Sequence, residues 1–379
     1  WVRCLLRLSY YQLRWLDRVP PHAAVDEAVR IARKRGHAGI AGLVNGVLRS
    51  LLREGIAPEW PSHLSAAERI ALEHSHPFWL VERWISAYGE KTAAAICEAG
   101  NMPPHGSARV NRLRAARDAL LADMAEAGLS VKPSPLSEDG IIAYKSGSLA
   151  DTSWFREGKL TVQDESSMLV AAVANPSPGM TVLDCCAAPG GKATHLAEIM
   201  RNEGKVLAND IHAHKRKLIE DQKERLGLSI IETMTCDALE LSRHLPEQSM
   251  DVVLLDAPCS GFGVIRRKPE IKWNKSPQDI AGLSELQQRL LQEAGRLVKP
   301  GGTLVYSTCT IASEENESNV LHFLKENPAF SPDLNWPEQT LRPLREKGIL
   351  PEPFQGWVQI LPHHFGSDGF FIARMRRNS

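Results

Sequence analysis

Apolar positions follow two rhythms along this chain, and the change comes near Val162. Before it they recur at three-and-four spacing, which puts side chains on one face of a helix. Leu5, Leu6 and Leu8, then Val25, Ala28, Val29 and Ala32, then Ile40, Leu43, Val44, Val47, Leu48 and Leu51 predict helices across residues 1–55. Gly36, Gly39, Gly42 and Gly46 predict tight helix contacts or a helix start near His37. A proline-bearing stretch at 56–61 separates this bundle from a second helical segment over 65–99, where Trp79, Leu80, Trp84 and Ile85 form an apolar stripe. Met102-Pro103-Pro104 breaks that pattern, because proline cannot continue a helix. A short strand at Ala108-Arg109-Val110-Asn111 and a helix over about 115–127 follow.

From Val162 short apolar runs alternate with longer amphipathic ones. Strands are predicted at 181–184, 206–209, 230–235, 252–255 and 303–306, with helices at 192–200, 213–226 and 278–298. Alternation of this kind builds a parallel sheet covered on both faces, so the fold class is α/β and doubly wound. Residues 357–361 and 369–375 predict an added strand pair joined by a turn. The chain therefore divides into an all-helical segment 1–60, a linking segment 61–160 with a small α/β subdomain, and a catalytic segment 161–379.

Length agrees, since 379 residues exceed one average domain. Trp1 stands where a methionine would start a chain, so the sequence is expected to be a piece of a longer protein. No apolar run approaches the roughly 18 residues that span a bilayer, and the start lacks a signal-peptide layout, so no membrane partner is expected. Seven cysteines, at 4, 97, 185, 186, 236, 259 and 309, form an odd set without C-x-x-C spacing. That argues against a disulfide framework or a metal site and for a reducing cytoplasm. Charge is balanced, with 45 Lys+Arg against 45 Asp+Glu, so only its distribution can speak for a nucleic-acid partner. Residues 1–60 hold ten basic and five acidic side chains. A second basic cluster, Arg266, Arg267, Lys268 and Lys272, with Lys275 close behind, follows a strand end and is expected to bind RNA.

The loop Asp184-Cys185-Cys186-Ala187-Ala188-Pro189-Gly190-Gly191-Lys192 joins the first strand of the alternating region to its helix. Small residues let a ligand approach the backbone, and the helix start offers free N–H groups. The spacing is neither G-x-G-x-x-G nor a Walker loop. Asp210 ends the second strand, where a carboxylate receives ribose hydroxyls, and Asp237 follows the third, within reach of an adenine amino group. A Gly loop, a ribose acid and a polar group for adenine are the parts of an S-adenosylmethionine site. The expected cofactor contacts are Cys186, Ala187, Ala188, Pro189, Gly190, Gly191, Lys192, Asp210, Asp237 and Asp256. Cys185 and Cys186 are read as packing residues beside the loop.

Pro258-Cys259-Ser260-Gly261 and Ser307-Thr308-Cys309-Thr310 each place a cysteine just past a predicted strand. Open α/β sheets collect their chemistry at carboxyl strand ends. Carbon 5 of a pyrimidine is a poor nucleophile until a thiolate adds at carbon 6, which breaks the aromaticity and makes carbon 5 enamine-like. Such a site needs a thiolate, a carboxyl group at ring nitrogen 3 and a base that removes the carbon 5 hydrogen. Cys309, Cys259 and Asp256 supply that set, with Lys192 placed to orient Asp256. Trp273 is read as a buried aromatic supporting the loop, with base stacking as the alternative.

These residues carry a resemblance to the RNA cytosine-5 methyltransferases, and within them to the Sun/Fmu (RsmB) group acting on small-subunit rRNA. The matching stretches are Val162 to Ser167, Asp184 to Lys192, Asp256 to Gly261, Arg266 to Trp273, Tyr306 to Thr310, Glu314-Glu315-Asn316-Glu317 and Asp368-Gly369-Phe370-Phe371. The resemblance implies a Rossmann-like S-adenosylmethionine-dependent sheet, preceded by a NusB-like helical RNA-binding domain and a small N1-type RNA-binding subdomain. It makes Cys309 the nucleophile and Cys259 the residue that assists product release. DNA enzymes use a cysteine at the position of Cys259 instead, so the two-cysteine pattern points to RNA. It further implies cytosine 967 of 16S rRNA as target, in naked or early-assembly small-subunit RNA, and an enzyme acting as a monomer without metal. A tRNA or another rRNA site, and a silent RNA-binding assembly factor, remain the competing readings.

Overall fold

The computed structural model describes residues 1–55, 61, 63–144 and 147–379, so all but Pro61 of the stretch at 56–61 lies outside the described residues. The chain forms two compact units, Trp1–Leu64 and Ser65–Ser379. The first holds helices Val2–Trp15, Pro21–Arg35 and Ala38–Glu54 around Leu5, Val25, Ala28, Ala32, Ala41, Val44 and Leu48. His37 caps the third helix, its Nδ1 accepting from the Gly39 amide at 3.2 Å. Gly42 and Gly46 do not serve close packing, because a Cβ on either would meet nothing within 4 Å.

The second unit opens with helices Ala66–Glu73, Phe78–Tyr88 and Glu90–Asn101. A small antiparallel sheet follows: β1 (Gly106–Val110), β2 (Ser130–Pro133), β3 (Gly140–Tyr144) and β4 (Leu160–Val162), ordered β2-β3-β1-β4. Only β1 is foreshadowed by the apolar pattern. The β2 strand is a mostly exposed edge ending in proline, so neither alternation nor an apolar run marks it.

The large sheet contains β5 (Thr181–Asp184), β6 (Lys205–Asn209), β7 (Ile231–Met234), β8 (Met250–Asp256), β9 (Val298–Thr308), β10 (Phe330–Pro332), β11 (Trp357–Ile360) and β12 (Phe370–Arg377). Its order is β10-β12-β9-β8-β5-β6-β7, with β11 also paired to β12. The five strands from β7 to β9 are parallel, and β12 runs antiparallel to β9. Side chains alternate between the two faces at a period of two. Val182, Val252 and Leu254 enter one core with the helix Glu165–Ala174, while Leu183, Val253 and Leu255 enter the other with Leu290, Leu291 and Leu297 of the helix Pro277–Leu297. Burial on both faces explains why these strands read as continuous apolar runs. Strand order reverses about β5, so the crevice at the carboxyl ends of β5 and β8 is the place for a ligand. Among the described residues no helix is long and apolar enough to cross a membrane.

Arg109 of β1 ties the small sheet to the large one. Its fully buried guanidinium donates to Glu198 Oε1 at 2.8 Å and Oε2 at 3.0 Å, to Thr194 Oγ1 at 3.2 Å, to Gly191 O at 2.8 Å and to Gln163 Oε1. Removing one partner of such a pair strands the other charge in the interior. Arg109→Met is therefore expected to cost about 3–5 kcal/mol in urea unfolding, with most of it recovered when Glu198→Leu is added. A loss under about 1 kcal/mol would show that water reaches Glu198.

Candidate active site

Strands β8 and β9 run side by side in parallel, with Asp256 opposite Ser307. Cys259 lies three residues beyond the first strand and Cys309 one beyond the second, and their sulfurs stand 3.4 Å apart. A buried carboxylate on a third segment helps hold the two loops together. Glu315 accepts from the Ser260 amide at 2.8 Å, from Gln287 Nε2 at 2.9 Å and from the Ser260 hydroxyl. Gln287 also donates to Pro258 O at 2.8 Å, and Tyr306 donates to the Glu315 carbonyl at 2.5 Å. The loops touch again through their backbones, where the Gly263 amide donates to Cys309 O at 3.0 Å. A Cβ on Gly263 would sit 2.8 Å from that oxygen and collide with Gly369, so only glycine fits. Phe262 and Ile311 pack on Leu80, Val81 and Trp84, and Tyr88 donates to Ile311 O at 2.9 Å. The helices over 66–101 thus support both cysteine loops.

Asp256 receives the Lys192 ammonium at 2.7 Å and the Ser307 hydroxyl at 2.7 Å. Burial alone would lower the Lys192 pKa, but Asp256 holds it above its ordinary value, so lysine stays charged. That cation sits 5.1 Å from the centre of the Phe370 ring. The two thiols are driven apart. A hydrogen bond from Cys259 lowers the Cys309 pKa, and Lys192 adds to this against burial and Asp256. The same contact, with burial, Glu315 and Asp256, raises the pKa of Cys259 well above normal. Of the two thiols, Cys309 is the one shifted toward ionisation and Cys259 the one held toward its protonated form. Burial raises the pKa of Cys185 and Cys186, which keeps them protonated.

The loop after β5 turns at Gly190, whose φ of +106° requires glycine and whose Cα faces Ile219 with no room to spare. The Ala187 amide donates to Asn209 O at 2.7 Å, locking the loop to the end of β6. Asp210 spends one oxygen on the His212 amide (2.9 Å), and Asp237, exposed, accepts from the Leu239 amide (3.0 Å). Asp184 and Asn209 are fully buried at the ends of β5 and β6, and Asn209 Nδ2 donates to Cys185 O and Cys236 O, each at 3.0 Å.

The expectation of four phosphate-facing cations needs correction at Arg266 and Lys272, whose polar ends are taken by the protein, while Arg267 and Lys268 are exposed. Arg266 donates to Pro362 O at 2.9 Å and to Gly366 O. Arg267 bridges Asp164 and Asp368, and Lys272, only 6% exposed, donates to Asn101 at 3.1 Å. Buried carbonyls and carboxylates need donors, and these side chains lie closest. Lys268 is exposed. Trp273 is 58% exposed rather than buried, because its short helix turns Lys272 inward instead. Single-residue reading also missed the roles of Glu315, Gln287 and Arg109, whose side chains bond to groups 28, 55 and 89 positions away in sequence.

Residues 171–376 match the family model 16S rRNA methyltransferase RsmB/F, residues 76–149 match the RsmF/B-like ferredoxin-like domain, and residues 1–53 match the NusB family. The chain is 49% identical over 377 residues to a probable ribosomal RNA small subunit methyltransferase B of Bacillus subtilis, covering 100% of this chain and 83% of the relative. It is 36% identical to the probable methyltransferase B of Synechocystis, covering 99% and 83%. The crystal structure of PH0851 superposes with a TM-score of 0.79 at 31% identity, over 100% of this chain and 82% of that one. NSun6 from Pyrococcus horikoshii, solved with SFG, has a TM-score of 0.69 at 22% identity, over 80% and 98%, and shares the fold.

Burial, and then the nearby Asp256, raise the Asp184 pKa from 3.8 to about 7. Between those values the folded protein binds more protons than the unfolded one, so its stability falls as pH rises and levels off above the upper value. Asp184→Asn removes that slope. The gain in Tm of the variant is expected to be larger at about pH 8 than at about pH 5. An equal gain at both would mean that Asp184 is ionised throughout.

Proposed function

The chain belongs to the 16S rRNA methyltransferase RsmB/F family, and from that premise we propose that it methylates carbon 5 of a cytosine through a covalent adduct with Cys309. The observation that carries this reading is the 3.4 Å contact between Cys259 and a Cys309 whose pKa is lowered. The 186–192 loop, Asp210 and Asp237 would hold S-adenosylmethionine, with Asp210 for its ribose and Asp237 for its adenine, and it would supply an electrophilic methyl group whose donor leaves as a neutral thioether. Cytosine 967 of 16S rRNA is the target that the family resemblance implies. A reducing cytoplasm suits the two free thiols.

The Cys309 thiolate adds to ring carbon 6, forming an S–C bond, and nitrogen 3 takes a proton through the Asp256 carboxyl. Carbon 5, now enamine-like, accepts the methyl group. Lys192 keeps Asp256 oriented and offsets charge as the ring changes its bonding. Cys259, once it has released its own thiol proton to solvent, serves as the base that takes the carbon 5 proton. The electrons of that C–H bond rebuild the ring double bond, the S–C bond breaks to return the Cys309 thiolate, and nitrogen 3 gives its proton back to Asp256. The cytosine must leave its stack to expose carbon 6. Lys268 and exposed Trp273 then offer a phosphate contact and a stacking face beside the site.

Asp210→Ala should weaken S-adenosylmethionine binding by about 1.5–3 kcal/mol per lost charge-assisted bond, read by calorimetry; unchanged affinity would defeat the ribose assignment. The covalent route is tested on unmodified 16S rRNA with labelled methyl donor. Cys309→Ala should give neither product nor adduct. Cys259→Ala should trap a protein–RNA adduct that survives denaturing electrophoresis, and Asp256→Ala should abolish both. An adduct in Cys309→Ala instead would exchange the two roles. Intact turnover in both cysteine variants, with no adduct in either, would end the covalent mechanism.

A further inference from the structure

Arg267 follows the loop that carries Cys259, and although its side chain is 35% exposed its guanidinium is bonded to two carboxylates of the protein. Its Nε donates to Asp368 Oδ2 at 2.7 Å and its Nη2 to Asp164 Oδ2 at 2.9 Å. Both carboxylates are buried. Asp164 caps the helix Glu165–Ala174 through the Ser166 amide (3.0 Å) and also accepts from the Asp368 amide (3.2 Å). Next in sequence, the Gly369 amide donates to Gly263 O at 2.8 Å, and Gly263 in turn donates to Cys309 O. Phe370 then begins β12 beneath the Lys192 ammonium that holds Asp256. Arg266 fastens the same segment from the other side through Pro362 O and Gly366 O.

We propose that Arg267 is a positioning residue: by bridging Asp164 and Asp368 it sets the segment that aligns Cys309 with Cys259 and Lys192 with Asp256. Cations after a cysteine loop suggest phosphate binding, but a phosphate would have to compete with two buried carboxylates already bonded in a fork. A guanidinium is needed because one planar group must reach two acceptors at once, which a lysine ammonium on a flexible stem does not reproduce. The role rests on the proposed methyl transfer, in which a small displacement of reacting atoms costs rate rather than binding.

The test uses Arg267→Met and Arg267→Lys in the full chain, with two readouts. The first is the pH midpoint for alkylation of Cys309 by iodoacetamide, which requires no turnover and so stands even if the proposed reaction fails. The second is turnover together with RNA affinity and its salt dependence. Arg267→Met is expected to raise the alkylation midpoint and to lower kcat about 10- to 100-fold, with RNA Kd and salt slope unchanged. Arg267→Lys should not restore either. Weaker RNA binding with a flatter salt slope, restored by lysine and with the alkylation midpoint unmoved, would make Arg267 a phosphate contact and overturn the proposal. A lowered Tm with midpoint and kcat both unchanged would reduce it to a structural tie, which also overturns it.

Discussion

Two thiols can share a proton only while their sulfurs remain in contact, and here that contact depends on a carboxylate that touches neither of them. Glu315 gathers the amide and hydroxyl of Ser260 and the side chain of Gln287, while its own carbonyl takes the Tyr306 hydroxyl from the strand that leads to Cys309. Burial raises its pKa, and those donors oppose the rise. Stitching the loops by hydrogen bonds to one buried acceptor gives a geometry that neither strand end could hold alone. The lowered pKa of Cys309, and hence its nucleophilicity, follows from that geometry.

The charges around the crevice are arranged with equal economy. Asp184 and Asp256 end parallel neighbours β5 and β8, and Asp210 follows β6. Lys192 meets this acidic rim at close range, through Asp256. Burial, and then the like charge of Asp256, raise the Asp184 pKa to about 7. On the proposed reading, a cationic group of the cofactor would meet this acidic rim favourably.

Cationic side chains near the site divide by depth. Arg109, Arg266 and Lys272 serve as internal cross-links, each satisfying carbonyls or polar side chains from distant segments, while Arg267 bonds two buried acids from an exposed position. Lys268 stays at the surface. A basic run in sequence therefore mixes two kinds of residue, and only packing separates them. Trp273 shows the converse: an apolar ring left outside because its neighbour's ammonium is better placed within.

Local periodicity was enough to place the parallel strands and the β11–β12 pair of the large sheet with three of its helices, because strands buried on both faces must be apolar throughout and covering helices must be amphipathic. It did not mark the short β10 or the helices Glu165–Ala174 and Glu317–Glu326. The loop at 184–192 and the two cysteine tetrapeptides were legible for a related reason: residue types there answer to chemistry at a strand end, which sequence order places in advance. Strand β2 was not legible, since a short exposed edge needs no distinctive pattern. Nor could sequence assign Glu315 to the cysteine loops, Arg109 to Glu198, or Arg267 to Asp164 and Asp368. Those pairings join residues 55, 89 and about 100 positions apart, and a charged side chain carries no mark of which distant partner will satisfy it. Only tertiary structure decides that, because the partner is chosen by which acceptors are buried within reach once the sheet has closed.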